Sequence, residues 1–272
     1  MAPPTGGAKP STMGRHFPDL RVDRGELAGA QWCVTTRFGG ASTGAFAESN
    51  LAEHVGDDPS SVAANRGSVI EAFSGITDVA FVQAEHGARV IPVATAAQVG
   101  AADALVTDVP TLGLAALGAD CAVVGVSAQR ANGEYEIAVV HCGWKGLVAD
   151  IVGATIGVLR QRGAVRMSAV QGPAICGACY PVPAERCEEI EDMCSNAVAR
   201  SAVLRPDPAT QSSWGIDIGA GVHTALVEND VEVVERFGCT VEDSRWYSLR
   251  RAVQQGGPSA RTGRHALVMA RL

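Results

Sequence analysis

The stretch from Ala119 to Leu147 constrains this chain more than any other. Ala119-Asp120-Cys121 leads into the apolar run Ala122 to Val126. A polar segment holding Asn132-Gly133 follows, and then Glu136-Ile-Ala-Val-Val-His141-Cys142-Gly143-Trp144-Lys145-Gly146-Leu147. Asn-Gly between two apolar runs marks a hairpin of two strands. Both runs are apolar at consecutive positions, so both faces of the hairpin must be covered, and the chain has to build layers around it. In an antiparallel pair the start of one strand lies beside the end of the next. Cys121 and His141 are therefore expected as spatial neighbours. His86, in Glu85-His86-Gly87 near the end of another apolar run, is a third candidate for the same place.

Two imidazoles and a thiolate are a donor set that zinc accepts, leaving one position for water, and bound water becomes a nucleophile near neutral pH. The separate elements leave no short-spacing signature, and a buried cysteine with two structural histidines is the plain alternative. Asp120, next to Cys121, is expected either to orient a ligand histidine or to cap a strand end. Cys142 should face away from His141's side of its strand. Cys176-Gly-Ala-Cys179 has the spacing of a redox or metal pair. It lies in a Gly/Pro loop, however, and no second such pair completes a structural zinc site.

The rest of the chain mixes strands and helices. Residues 1–18 are rich in Pro, Gly, Ser and Thr and read as a disordered tail, leaving 19–272 as a single domain. Gln31 to Thr36 reads as a strand entering the glycine-rich loop Arg37 to Gly44, with Arg37 placed to hold an anion or simply to sit on the surface. Asp57-Asp58-Pro59 opens a helix. Strands are expected at Val79 to Val82, Val90 to Val93, Ala104 to Thr107, Leu112 to Leu114, Met167 to Val170, Val231 to Val234 and Ala266 to Leu272. Long helices are expected at Trp144 to Gln161, Pro183 to Arg200 and Ile216 to Val227. Strict alternation is missing, so the expected fold class is a mixed-sheet α/β or α+β domain rather than a doubly wound one.

Charge narrows the partners. A formal net charge of -7 with no basic stripe argues against nucleic acid. Eight cysteines without an apolar leader point to reduced thiols and a cytoplasmic setting. No uninterrupted apolar stretch is long enough to span a membrane.

Taken together, Thr35 to Gly44, Asn50-Leu51, His54 to Asp58, Asn65-Arg66, Glu85-His86-Gly87, Ala102-Asp103-Ala104, Ala119-Asp120-Cys121, Val139 to Gly146, Gly172 to Ile175, Ser248 to Arg251 and Thr262 to Arg264 resemble the YfiH/YlmD-type family. That family was formerly labelled polyphenol oxidases or laccase-domain proteins, and it includes the macrophage protein FAMIN. The resemblance runs collinearly over about residues 30 to 272. It implies a single domain of mixed β-sheets layered between helices. It also implies a purine nucleoside phosphorylase acting on adenosine, inosine and S-methyl-5′-thioadenosine with phosphate, with adenosine deaminase activity. The metal triad it implies is His86, Cys121 and His141, holding zinc, or copper on the oxidase reading. Cys121, Asp120 and Arg37 are the catalytic candidates. Arg37, Arg250, Arg251 and Arg264 are the expected phosphate ligands, guanidinium being suited to phosphate. The chain departs from the family pattern at Ala84-Glu85, at Lys145 and at Pro181. Three rival readings stand beside it: a cysteine-dependent amidase editing peptidoglycan precursors, a copper polyphenol oxidase, and a non-catalytic metal- or partner-binding protein. Six histidines are few for several coppers.

Overall fold

The computed structural model describes residues 20–207 and 213–272. The expected tail at 1–18 lies outside them. The chain opens with β1 (Val22–Leu27) and β2 (Ala30–Thr35), then α1 (Pro59–Glu71), β3 (Asp78–Phe81), β4 (Val90–Pro92), β5 (Ala104–Thr107) and β6 (Leu112–Gly118). The hairpin is β7 (Ala122–Arg130) and β8 (Tyr135–Cys142). After it come α2 (Trp144–Val148), α3 (Ile151–Gln161), β9 (Ala164–Gln171), α4 (Ala184–Met193), α5 (Asn196–Ala202), β10 (Val203–Leu204) and β11 (Gly215–Ile216). The last elements are α6 (Ile218–Glu228), β12 (Glu232–Arg236), α7 (Leu249–Gly256) and β13 (His265–Arg271).

Two mixed sheets form the centre. One has the order β1-β2-β13-β6-β3, the other β12-β9-β7-β8-β5-β4. Side chains alternate across the hairpin strands as a pleat requires. Val123, Ile137 and Val139 point to the space between the sheets, where they meet Trp32, Leu114, Leu267 and Met269. Val124, Val126, Ala138 and Val140 point the other way, onto Ile156 and Leu159 of α3 and Val222 and Leu226 of α6. On the far side, α1 and its flank place Val69 and Phe73 over Cys33, Leu117 and Val268. The result is four layers, helix, sheet, sheet, helices, with three apolar seams. At Gly125 the two sheets come so close that a Cβ would lie 2.3 Å from Met269 Sδ, which only glycine allows.

The hairpin has the expected register: Ala122 pairs with Cys142 and Val123 with His141, and Gly133 takes φ 87° in the turn. The helix at Asp58-Pro59 also forms as expected, the Asp58 carboxylate accepting from Ser61 N.

Three expected helices are shorter than their apolar periodicity. The one over Trp144 to Gln161 breaks at Asp150, which adopts φ 57° and caps α3 by accepting from Gly153 N at 3.0 Å. Aspartate tolerates the left-handed region and offers the backbone a competing local acceptor. Ser195, with an extended backbone, also caps, accepting from Val198 N between α4 and α5. Ile216 belongs to β11, because Asp217 starts α6 by capping Ala220 N. The sequence reading missed β1 and α7. The apolar content of α7 is low, it is only eight residues long and none of them is buried, so no core-facing apolar run marks it.

Candidate metal centre

The triad is assembled by two turns and a strand end. His141 closes β8 and by alternation shares the face of Ile137 and Val139, while Cys142 turns into the opposite seam with no exposure. Cys121 sits just before β7, opposite the end of β8. His86 arrives from the turn after β3, with φ 63°. The donor atoms of His86, Cys121 and His141 all lie within 4.8 Å of one another. Cys121 Sγ is 3.9 Å from His86 Nε2, and the two imidazoles meet edge to face with centroids 4.8 Å apart. Gly143 makes this convergence feasible: a Cβ there would lie 3.0 Å from Cys121 Sγ and 3.1 Å from His86 Cδ2.

The carboxylate behind the triad is Asp103, not Asp120. Asp103 precedes β5, is 1% exposed, and its backbone carbonyl accepts from His141 N at 2.8 Å. Its Oδ1 accepts from the amides of Glu85 (3.0 Å) and His86 (2.7 Å), and its Oδ2 from that of Gly87 (3.0 Å). Three converging amides form a small anion nest. They explain how a non-glycine residue is held in the left-handed region at His86. Asp103 Oδ1 also lies 3.9 Å from His141 Nδ1, a buried atom with no hydrogen-bond partner. That leaves His141 Nε2 as the nitrogen for a metal.

Electrostatics agree with this arrangement. Burial by itself would lower the His141 pKa, but the Asp103 carboxylate and the Cys121 sulfur overcome it and raise it to about 9. Burial opposes ionisation of Cys121, yet His141 and His86 bring its thiol down to about 6. Burial also works against Asp103, but His141 and the three amides hold its carboxyl below the ordinary range. Without metal, Cys121 is thus a thiolate beside a protonated His141, and a bound metal would displace the His141 proton.

Asp120 does other work. Its Oδ1 accepts from Thr240 Oγ1 at 2.6 Å and its Oδ2 from Arg250 N at 2.7 Å. It therefore fixes the start of α7 beside Cys121 and touches neither histidine. These contacts set Asp120 against α7 rather than behind a ligand histidine.

The triad opens into a cleft of about 670 Å³ at the end of the two-sheet seam. Phe81, Val82, Leu117 and Leu249 give it apolar walls, and Arg66, Arg264 and His54 line it as well. Of the four arginines expected to hold phosphate, Arg264 lines this cleft and the other three do not. Arg37 donates to Ala47 O (3.3 and 3.2 Å), lies 5.3 Å from the Tyr247 ring, and lines a separate hollow with Arg251. Arg251 spends its guanidinium on the carbonyls of Thr240, Val241, Asp243 and Trp246. Arg250 stacks on Tyr180, 5.0 Å from its centroid. Arg66 was missed as a site residue. It lies 4.0 Å over Phe81 and donates to Leu51 O and Glu53, and only its place in the Asn65-Arg66 pair marked it in the sequence. Arg264 is positioned by Asn50, whose Oδ1 accepts from its amide, and Asn50 O in turn accepts from Asn65 Nδ2.

A layered mixed α/β sandwich with a His-Cys-His centre at the mouth of its inter-sheet seam defines the class. Residues 31–271 match the family described as multi-copper polyphenol oxidoreductase laccase, and the chain belongs to that family, the YfiH/YlmD type. It is 35% identical over 225 residues to a purine nucleoside phosphorylase of Corynebacterium glutamicum, covering 80% of this chain and 87% of that one. It is 34% identical over 247 residues to a purine nucleoside phosphorylase of Streptomyces coelicolor, covering 84% and 93%. Among solved structures, YfiH of Bacillus licheniformis superposes with a TM-score of 0.75 at 26% identity, covering 89% and 93%. A Neisseria meningitidis protein gives the same TM-score at 28%, covering 92% and 98%. No helix of the described residues is long and apolar enough to cross a membrane.

Proposed function

We propose that this chain is a zinc-dependent purine nucleoside phosphorylase. Its substrates are adenosine, inosine and S-methyl-5′-thioadenosine with phosphate, and it deaminates adenosine at the same centre. The observation that carries the reading is the convergence of His86, Cys121 and His141 at a cleft of a size that suits a nucleoside. The likeness to the Corynebacterium and Streptomyces phosphorylases supports the choice of substrate class. The donor set fits zinc: one sulfur and two nitrogens, one carboxylate behind one imidazole, and an open side toward the cleft. When bound, the ion supplies a Lewis acid and an activated water.

The chain's own residues do the rest. Phe81, Val82, Leu117 and Leu249 take the apolar faces of the base. Arg66 and Arg264 supply the positive charge that an acidic chain otherwise lacks, and they hold phosphate against the ribose. Forked guanidinium donors suit its oxygens in a way lysine does not. His54 stands beside both arginines, and burial together with their charge lowers its pKa, so it stays neutral near pH 7. Asp103 keeps His141 oriented. Leaving-group charge on the base is stabilised by the electropositive wall.

Two other readings meet specific observations. A thiolate at Cys121, with its pKa near 6 beside two histidines, is also what a cysteine amidase needs. Tight zinc binding by the triad would count against that use, since a ligated sulfur is not a free nucleophile. The copper oxidase suggested by the family description would need more imidazoles. Among the described residues, only His86 and His141 sit in a ligand cluster.

Product analysis with adenosine decides the matter. Adenine and ribose 1-phosphate should form only with phosphate, and inosine should form with or without it. Absence of both, from protein with a full complement of zinc, overturns the proposal.

A further inference from the structure

The CxxC pair of the sequence has partners that linear spacing does not reveal. Cys176 and Cys179 flank a single 3-10 turn, Gly177–Cys179, in which Cys179 N donates to Cys176 O at 3.1 Å. Residues three apart in such a turn eclipse one another, so both sulfurs project to one side. A parallel bridge between Ala174 and Cys239 brings a third cysteine there. Glu242, three residues on, supplies a carboxylate: its Oε1 lies 3.7 Å from both Cys176 Sγ and Cys179 Sγ. The donor atoms of Cys176, Cys179, Cys239 and Glu242 all fall within 4.8 Å of one another. All three cysteines are unpaired thiols.

We propose that Cys176, Cys179, Cys239 and Glu242 form a second, structural zinc site. Around a tetrahedral zinc with Zn–S of about 2.3 Å and Zn–O of about 2.0 Å, ligand atoms sit roughly 3.5–3.8 Å apart. The two sulfur–carboxylate distances already have that spacing. Three thiolates select a soft cation, and four protein ligands close the shell, as in structural rather than catalytic sites. Cys176 N donates to Cys239 Sγ at 3.3 Å, a backbone contact that fixes the position of that sulfur. A disulfide would use two sulfurs and leave the third, with its adjoining carboxylate, unaccounted for.

The site would staple the loop 172–180 to the segment 238–242. That segment carries Thr240, which holds Asp120 next to Cys121, and the loop carries Tyr180, on which Arg250 stacks. The metal thus braces the side of the triad where α7 begins, and it takes no part in the chemistry.

The test uses the full chain purified without chelator. The wild type should contain about two zinc ions per chain, and Cys121→Ala and Cys239→Ser about one each. Cobalt added to metal-free Cys121→Ala should give the intense sulfur-to-metal absorption and tetrahedral bands expected of three thiolates. Should Cys239→Ser fail to fold, Glu242→Ala alters only an exposed residue, and it should weaken the cobalt complex at least tenfold against a competing chelator. The proposal is overturned if Cys121→Ala binds no zinc or cobalt. It is equally overturned if a Cys176–Cys179 disulfide is found in metal-free protein isolated without reductant, or if Glu242→Ala binds cobalt as the wild type does. Cys121→Ala already lacks the proposed catalytic centre, so these outcomes do not depend on phosphorylase activity.

Discussion

Asp103→Asn is the most informative single change at the triad. The swap keeps the shape and removes the charge. In the native chain one oxygen accepts from the Glu85 and His86 amides and the other from the Gly87 amide. Asparagine has one acceptor oxygen. Its better orientation keeps the first two bonds and sets its amide nitrogen against Gly87 N–H. One bond to a charged acceptor is then lost, costing about 1.5–3 kcal/mol. The left-handed turn at His86 loses part of its support, and His141 loses the anion 3.9 Å from Nδ1. Loss of an outer carboxylate of this kind lowers metal affinity by roughly ten- to a hundredfold. Urea unfolding of the metal-free protein measures the first effect, and competition with a chromophoric chelator measures the second. Both should be present together. Native stability with zinc affinity unchanged would refute the idea that Asp103 supports the turn and tunes His141.

Other outcomes follow from the same geometry. Replacing His86, Cys121 or His141 with Ala should abolish nucleoside cleavage and remove about one zinc per chain by elemental analysis. Asp120→Asn should instead destabilise the start of α7 by about 1–2 kcal/mol in urea melts, through lost hydrogen bonds to Thr240 and Arg250 N, with zinc affinity unchanged. Arg264→Lys should raise the KM for phosphate roughly tenfold or more by loss of a forked donor, whereas Arg37→Lys should leave it unaltered; the opposite ranking returns the anion site to Arg37. His265 is fully buried with both ring nitrogens unpartnered, and burial, aided by Arg264, lowers its pKa to about 3. Below about pH 6.5 the unfolded chain therefore takes up a proton that the folded chain refuses, and stability falls with pH by about 1.4 kcal/mol per unit down toward pH 3. Denaturation across pH 6.5 to 4.5 should show a slope that is shallower by that amount in His265→Phe, and equal slopes would contradict the assignment.

The parts legible in the sequence share a physical cause. The hairpin was readable because Asn132-Gly133 fixes a turn and the runs on both sides are apolar. Its register then put Cys121 beside His141 without any further information. Asp103 was harder to see, although an acidic residue between Ala102 and Ala104 at the start of an apolar strand is seldom buried without partners. Its partners are backbone amides, which carry no residue code. The sequence could not rank the arginines, because guanidinium chemistry is the same in every case. Arg264 gives one Nη to the Thr262 and Gly263 carbonyls and still lines the cleft, whereas Arg251 donates to four carbonyls and lines another hollow; both outcomes depend on loop paths. Cys239 and Glu242 lie some sixty residues from the CxxC pair and meet it through a single parallel bridge, which spacing rules do not register.

The place of β13 in its sheet bears on how the protein comes into being. It lies between β2 and β6, pairing with both, yet it is made of residues 265–271. During synthesis, β2 and β6 therefore wait with open edges until those residues leave the ribosome, and the inter-sheet seam cannot shut before Leu267 and Met269 fill it. Unpaired edges of this kind invite pairing with other chains. A ribosome stalled before residue 265 would hold a chain whose helices and hairpin are made but whose two sheets have no common wall. Arg264 comes just before the strand that completes the sheet, so the wall of the cleft and the closing of the fold are a single event.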